Sequence, residues 1–196
     1  MSRWMSLAAP LATAALLASA PAQAQITLFS GSFVPEAPGA TGSGTLFMTY
    51  DATARTLDIQ ASWSGLSGTT TTAHIHCCNA TPFTGTSGVA LAQGNILPGF
   101  PLGVSSGSYS RLIDLSLASQ YNANFLNASG GTTLGAEARL ISNLASGNAY
   151  FNIHSSTFTP GEIRAFVTVV PEPATYGMMA LGLAGLGLWV RRRQAR

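Results

Sequence analysis

The clearest alternation of apolar and polar side chains in this chain runs from residue 56 to residue 63. Its apolar positions are Leu57, Ile59, Ala61 and Trp63, with polar residues between them. A period of two is typical of a β-strand that turns one face to a core and the other to water. The run therefore predicts a half-buried strand with its tryptophan on the apolar face.

Shorter runs predict further strands, separated by polar or Pro/Gly segments. The predicted strands cover residues 26–34, 45–50, 56–63, 73–76, 89–91, 108–115, 148–154 and 162–169. A polar turn at 51–55 joins the second strand to the third, and Pro160-Gly161 joins the last two. Two hairpins are therefore expected, and residues 65–72 are expected to form a loop.

Two short helical stretches are predicted before the strand at 148–154. The second begins at Thr133, a residue type suited to an N-cap, and ends before Gly147, where a C-cap glycine belongs. Its apolar stripe at helical spacing consists of Leu134, Ala138, Ile141 and Leu144.

Composition supports a β-rich domain. Only 8% of the residues are charged, and the chain contains 21 glycines together with many serines and threonines. This composition suits an extracellular domain with many turns. Residues 25–170 are long enough for one domain with its own core. The predicted fold class is therefore mainly β, with one or two short helices.

The N-terminal residues have the pattern of a secretory signal peptide. Arg3 supplies a positive charge, residues 7–20 are apolar, and residues 22–24 (Ala-Gln-Ala) form a small-x-small cleavage site. We expect signal peptidase to cleave after Ala24, which removes residues 1–24. An N-terminal membrane anchor that stays uncleaved is the alternative.

The C-terminal residues 170–196 combine three features in a fixed order. Residues 171–173 (Pro-Glu-Pro) form a stiff polar break, residues 174–190 are uncharged and mostly apolar, and arginines dominate residues 191–196. An apolar run followed by arginines predicts a C-terminal transmembrane helix with a cytoplasmic tail, although its length is below the usual ~20 residues. A buried helix of a soluble domain is the alternative.

Together, the three features resemble the PEP-CTERM sorting signal of Gram-negative bacteria. The resemblance implies recognition by an exosortase, with cleavage at or near Pro171, Glu172 and Pro173. The protein is then expected to cross the inner membrane, to be anchored transiently by its C-terminal helix, and to reach the cell surface or the extracellular space. The family is associated with bacteria that make extracellular polysaccharide, which implies exopolysaccharide as a partner.

The formal charge of +2 comes from the two terminal segments. Residues 25–170 contain four arginines and six carboxylates, which leaves a charge of −2, and the other five arginines lie outside them. The chain has no lysine. Because a domain without a basic patch lacks the electrostatic signature of nucleic-acid binding, nucleic acid is not an expected partner.

Two segments resemble the CHRD domain, first described in chordin. One is Ala-His-Ile-His at residues 73–76; the other is Ala-Tyr-Phe-Asn-Ile-His at residues 149–154, followed by Pro-Gly-Glu-Ile-Arg at 160–164. In this sequence only one glycine precedes Glu162, whereas the family pattern has two. The resemblance covers residues 25–169 and implies an immunoglobulin-like or related β-sandwich with no agreed biochemical activity.

All three histidines of the chain fall in those segments. His74 and His76 are two residues apart on a strand, so both rings leave one face about 6.6 Å apart. If the strand of His154 is a neighbour, three imidazoles converge on a candidate copper or zinc site, where Asn152 or Glu162 could orient a ring. The alternative is that these histidines only hydrogen-bond within the sheet end.

The only two cysteines, Cys77 and Cys78, are adjacent. In an oxidising exported compartment they are not expected to remain free thiols. Three alternatives stay open: a vicinal disulfide, disulfides to another chain, or thiolate ligation of a metal beside His76.

The sequence contains no glycine-rich phosphate loop and no GxSxG nucleophile elbow, so an enzyme is not the favoured class. The first hypothesis is a non-enzymatic exported protein of the cell envelope or polysaccharide matrix, with a structural or binding role. The second is a copper- or zinc-binding redox protein that uses His74, His76 and His154. A carbohydrate-binding module is less favoured, because Trp63 lies on an apolar face.

Overall fold

The computed structural model describes residues 25–171, together with residues 181–183, 191 and 193. The predicted signal peptide lies outside these residues, as does most of the predicted membrane helix at 174–190. Within the described residues, no helix is both long enough and apolar enough to cross a membrane.

Nine strands and two short α-helices make up residues 25–171, which confirms the mainly β fold class. The strands are β1 (Ile26–Pro35), β2 (Ser43–Asp51), β3 (Thr56–Ser64), β4 (Thr70–Cys77), β5 (Val89–Leu91), β6 (Gly107–Asp114), β7 (Ala149–Ser155), β8 (Ile163–Phe166) and β9 (Thr168–Val170). The helices are α1 (Ala123–Ala128) and α2 (Thr133–Ala145), and a 3-10 turn at Ala118–Gln120 precedes them.

The strands form one curled sheet in the order β5-β4-β7-β8-β1-β2-β3-β6, with β9 also paired to β1. Strand β1 pairs with β2 through residues 26–33 and, on its other edge, with β9 at 28–30 and β8 at 34–35. The curl brings the two halves face to face, because Tyr109 of β6 approaches Phe151 of β7 with ring centroids 6.4 Å apart. The two layers of the predicted sandwich are thus joined through β1.

The hydrophobic core fills the space between these halves. Trp63 is buried, as its alternating strand predicts, and stacks on Phe100 with ring centroids 5.1 Å apart. Phe33 meets Phe151 edge to face at 5.5 Å. Burying one large apolar side chain contributes about 1.5–3 kcal/mol, so these contacts stabilise the curled arrangement.

Closure of the curl depends on Gly31, in the middle of β1. A Cβ atom at this position would lie 2.2 Å from the carbonyl oxygen of Phe166, the last residue of β8. Val167, which lies beside Gly31, separates β8 from β9. The single final strand predicted at 162–169 is therefore wrong, since this segment forms two strands that pair with different parts of β1.

One further strand boundary differs from its prediction. The loop predicted at 65–72 ends early, because β4 begins at Thr70. Strand β7 has no face in water, since all seven of its residues are buried. The loop between β4 and β5 covers this side of the sheet, where Gly85 O accepts a hydrogen bond of 2.7 Å from Arg164 on β8.

Helix α2 differs from its prediction at one end and in its buried face. Its N-cap is Thr132 instead of Thr133, because Thr132 Oγ1 accepts a hydrogen bond of 3.1 Å from the N–H of Gly135. Gly147 follows the helix with a φ of 74°, which confirms the C-cap glycine. Of the predicted stripe, Leu144 is buried and Ile141 is half-buried against the core, but Leu134 and Ala138 are exposed. The buried positions are Ala136, Glu137, Leu140 and Leu144.

Helix α2 turns a carboxylate inward because two partners lie there. Glu137 accepts hydrogen bonds from Arg55 Nε at 2.6 Å and from Tyr50 OH at 2.8 Å. Glu137 is 3% exposed, and a carboxylate tolerates such burial only when it is paired and hydrogen-bonded. A pattern of apolar residues cannot reveal an inward face that contains a charge.

Gly31→Ala should destabilise the domain by about 1–3 kcal/mol, the usual cost of overpacking, because backbone must move to admit the methyl group. Urea unfolding followed by tryptophan fluorescence measures the change. Gly88→Ala is the matched control: its Cβ atom would meet nothing within 4 Å, and its stability should change by less than about 0.5 kcal/mol. Equal stability of the two variants would contradict this role of Gly31.

Candidate metal centre

The two strands that carry the histidines are neighbours in the sheet. Strands β4 and β7 pair antiparallel, with Thr72 opposite His154, His74 opposite Asn152 and His76 opposite Tyr150. Because side chains two residues apart share a face of a strand, the rings of His74, His76 and His154 leave the sheet on the same side. The structure thus brings the three residues together.

The three rings form a compact cluster. One ring nitrogen from each histidine lies within 4.8 Å of those from the other two. Ring centroids are 4.9 Å apart for His74 and His154, 5.5 Å for His74 and His76, and 6.3 Å for His76 and His154. His74 and His154 are buried and His76 is half-buried; among the described residues, no cysteine or carboxylate joins the cluster.

Each ring is held by a backbone carbonyl from a different loop. A carbonyl oxygen can only accept, so the ring nitrogen that faces it must carry the hydrogen and donate it. Each histidine is thereby fixed in one neutral tautomer, with the lone pair on its other nitrogen. The bonds run from His74 Nε2 to Asn95 O (2.8 Å), from His76 Nδ1 to Ser87 O (2.9 Å) and from His154 Nδ1 to Thr159 O (2.6 Å).

The three remaining nitrogens have lone pairs and lack ordinary partners. His74 Nδ1 lies 3.2 Å from His154 Nε2, although neither atom carries a hydrogen in these tautomers. His76 Nε2 is buried without a hydrogen-bond partner. Two nitrogens bound to one zinc ion at ~2.0–2.1 Å lie about 3.3 Å apart in a tetrahedral site. The separation between His74 and His154 therefore suits a shared metal ion.

Burial keeps the three rings neutral. It lowers the pKa of His74 to about 4, since the smaller opposing effect of the bond to Asn95 O does not offset it and the neighbouring rings lower it further. Burial is also the main cause that lowers the pKa values of His76 and His154. Neutral imidazole is the form that ligates metals, so no deprotonation is needed near pH 7.

Side chains on the same face support the cluster. Tyr150 stacks on His76, with ring centroids 4.9 Å apart and planes 6° apart. The guanidinium of Arg164 lies 5.6 Å from the Tyr150 ring centre and 3.6 Å from the Glu36 carboxylate. Glu36 also accepts a hydrogen bond from Asn152 Nδ2. These contacts fix the plane of the His76 ring and pair the charge of Glu36.

Backbone carbonyls orient the three rings. The sequence instead predicts Asn152 or Glu162 as the residue that could orient a ring. Asn152 donates to Glu36, and its Oδ1 atom is buried without a partner. Glu162 accepts a hydrogen bond from the N–H of Ser67, in the loop before β4.

Cys77 and Cys78 form a disulfide with each other. Of the three alternatives, the structure shows the first. A disulfide sulfur is not a thiolate, so Cys77 and Cys78 do not offer the ligands that the third alternative requires. Cys77 also lies on the opposite face of β4 from His76, because neighbouring residues of a strand alternate.

Of the expected processing residues, only Pro171 is described. It is exposed and directly follows β9, which ends at Val170. Ala24, Glu172 and Pro173 lie outside the described residues. The last strand of the domain thus ends immediately before the Pro-Glu-Pro triplet.

Sequence reasoning missed the three carbonyl groups and the stacking partner of His76. Carbonyls occur at every residue, so no side-chain pattern marks those of Ser87, Asn95 and Thr159. The position of Tyr150 beside the cluster could have been predicted, because Tyr150 lies four residues before His154 on the same face of one strand.

Two family models match this chain. The CHRD domain matches residues 25–167, and the PEP-CTERM protein-sorting motif matches residues 169–194. No curated protein and no solved structure matches it. Since the first match covers well over half of the sequence, the chain belongs to the CHRD domain family, and its PEP-CTERM motif implies processing by an exosortase.

Proposed function

We propose that this exported domain binds one copper or zinc ion through His74, His76 and His154. The observation that carries the proposal is the orientation of the rings, since three carbonyls take the three N–H groups and leave three lone pairs close together. Histidines that ligate metals almost always donate their other ring N–H in this way. Histidines with a purely structural role are expected to satisfy both ring nitrogens, which His76 does not.

The donor set favours copper or zinc over hard cations. Neutral imidazole suits copper and zinc, whereas calcium and magnesium prefer oxygen ligands. The widest nitrogen separation, 4.8 Å, exceeds the tetrahedral value, so the rings must close by about 1.5 Å around an ion. A copper-loaded centre is the form in which the alternative redox function would operate.

The chain is an exported protein sorted by its PEP-CTERM motif. The final location that we propose is the cell surface or the extracellular polysaccharide matrix, where the domain has a binding or structural role. The position of the last strand supports release as an intact domain. Since β9 ends at Val170, cleavage at the following triplet would leave the whole sheet in the mature protein.

Purified protein should retain one Cu²⁺ or Zn²⁺ ion per chain, and the ion should raise its thermal midpoint. An ion that binds only the folded state stabilises it by about 2.7 kcal/mol when free metal is at 100 times Kd. The double variant His74→Ala/His154→Ala should lose both effects. Elemental mass spectrometry gives the stoichiometry, and circular dichroism melting gives the stabilisation.

His76→Phe is the sharper variant, because phenylalanine preserves a ring against Tyr150 but has no ligating nitrogen. Its metal affinity should fall by more than the about 10–100-fold that a lost supporting partner costs, while circular dichroism still shows a folded domain. Asp58→Asn, which removes a carboxylate on the outer face of β3, should bind like wild type. Absence of metal from wild type under copper-replete conditions would overturn the proposal.

Glu172→Ala should block cleavage at the triplet, so that the chain remains in the membrane fraction of an exosortase-containing host. Wild type should instead yield a shorter product outside the inner membrane. Immunoblots of fractionated cells and the intact mass of the product measure both outcomes. Ser106→Ala, an exposed change within the domain, is the control, and equal release of both variants would contradict the proposed role of the triplet.

A further inference from the structure

We infer that the metal centre keeps one coordination position open, occupied by water that a small monovalent anion can replace, beside the amide oxygen of Asn152. This inference rests on the proposed function, because it concerns the same three histidines. It adds the class of external ligand that the centre accepts.

The number of protein ligands supports an open coordination position. Within the described part of the chain, neither a carboxylate nor a thiolate lies with the three rings, and Cys77 and Cys78 are bonded to each other. Zinc sites closed by four protein ligands are structural, whereas sites with three protein ligands hold water or substrate in the fourth position. His76 is half-buried, whereas His74 and His154 are buried.

The charge of the loaded centre favours an anion at the open position. Three neutral imidazoles leave both positive charges of a divalent ion uncompensated in a largely buried site. Glu36, which reaches this face through Asn152, is already paired with Arg164 at 3.6 Å. A buried charge without compensation is costly. Hydroxide or another small anion at the open position would therefore stabilise the loaded centre.

An unpartnered hydrogen-bond acceptor lies on the same face of the sheet as the three rings. Asn152 lies opposite His74 in the β4–β7 pair and is 1% exposed. Its Nδ2 atom donates to Glu36, which assigns the amide orientation and leaves Oδ1 buried without a partner. An unsatisfied buried acceptor costs about 1–3 kcal/mol. Water bound to the metal can donate to this atom, which makes Asn152 a positioning residue for the water.

The test uses Co²⁺, whose visible absorption responds to the number and type of its ligands, and azide as the anion. The protein is loaded with one equivalent of Co²⁺ and titrated with sodium azide. We expect a saturable spectral change at one azide per cobalt, with cobalt still bound, because azide replaces the water. Cobalt bound by the three histidines without any response to azide would overturn the inference and leave the proposed function standing.

Failure of the wild-type protein to bind Co²⁺, Cu²⁺ and Zn²⁺ would instead overturn the proposed function, and the inference with it. The two failures are therefore distinguishable in one set of titrations.

Asn152→Leu tests the positioning role at nearly constant volume. Because bound water loses its acceptor, azide should compete better, and its Kd should fall about three- to tenfold, as expected for one lost hydrogen bond. Cobalt affinity should stay unchanged, whereas a merely structural role would weaken cobalt binding. Asn127→Leu, on the exposed side of α1, is the control. If Asn152→Leu does not fold, Asn152→Ala makes the same comparison, and unchanged azide affinity in the folded variant would exclude Asn152 from this role.

Discussion

Three hydrogen bonds from imidazole N–H groups to backbone carbonyls determine both the loops and the chemistry of one face of this domain. They tie the loop between β4 and β5, the segment between β5 and β6, and the turn between β7 and β8 to neighbouring strands, through Ser87, Asn95 and Thr159. Each bond contributes only about 0.5–1.5 kcal/mol to net stability. Their larger effect is to select one tautomer for every ring. A ring that turned its lone pair away from the cluster would lose its hydrogen bond to the loop carbonyl. The order of the loops and the orientation of the rings are therefore coupled.

The curled sheet gives the domain two interiors of opposite character. Between the halves lies an apolar core of aromatic and aliphatic side chains, where shape and volume decide the packing. On the other side of β4, β7 and β8 lies a polar layer, which contains the histidines, Asn152 and the Glu36–Arg164 pair. Polar groups without water must find partners. His76 Nε2 and Asn152 Oδ1 have none, and neither do Ser87 Oγ and Asn79 Oδ1 in the loop that covers this face. The first two lie on the face of the histidine cluster, where an external group fits the structure.

The sequence predicts most of the strands, because alternation around residues 56–63 reports directly on which face is buried. It also predicts the meeting of the three histidines, once the two segments are placed on neighbouring strands. It fails where a position is decided by a distant partner. Glu137 turns inward because Arg55 and Tyr50 accommodate it, and no helical periodicity of apolar residues contains that information. The break between β8 and β9 at Val167 lies beside a close backbone approach at Gly31, and the carbonyls that orient the rings have no side-chain signature.

An all-imidazole centre is suited to the compartment in which an exported domain folds. Thiolates oxidise outside the cytoplasm, and the only cysteines of this chain are bonded to each other next to His76. The donor set proposed for the metal therefore does not depend on the redox state of Cys77 and Cys78. Imidazole ligation does depend on neutral rings. Burial favours the neutral form, because it lowers the pKa of His74 to about 4. The sorting motif and the proposed histidine site thus agree physically, since the first marks the domain for export and the second would use only ligands that need no reducing environment.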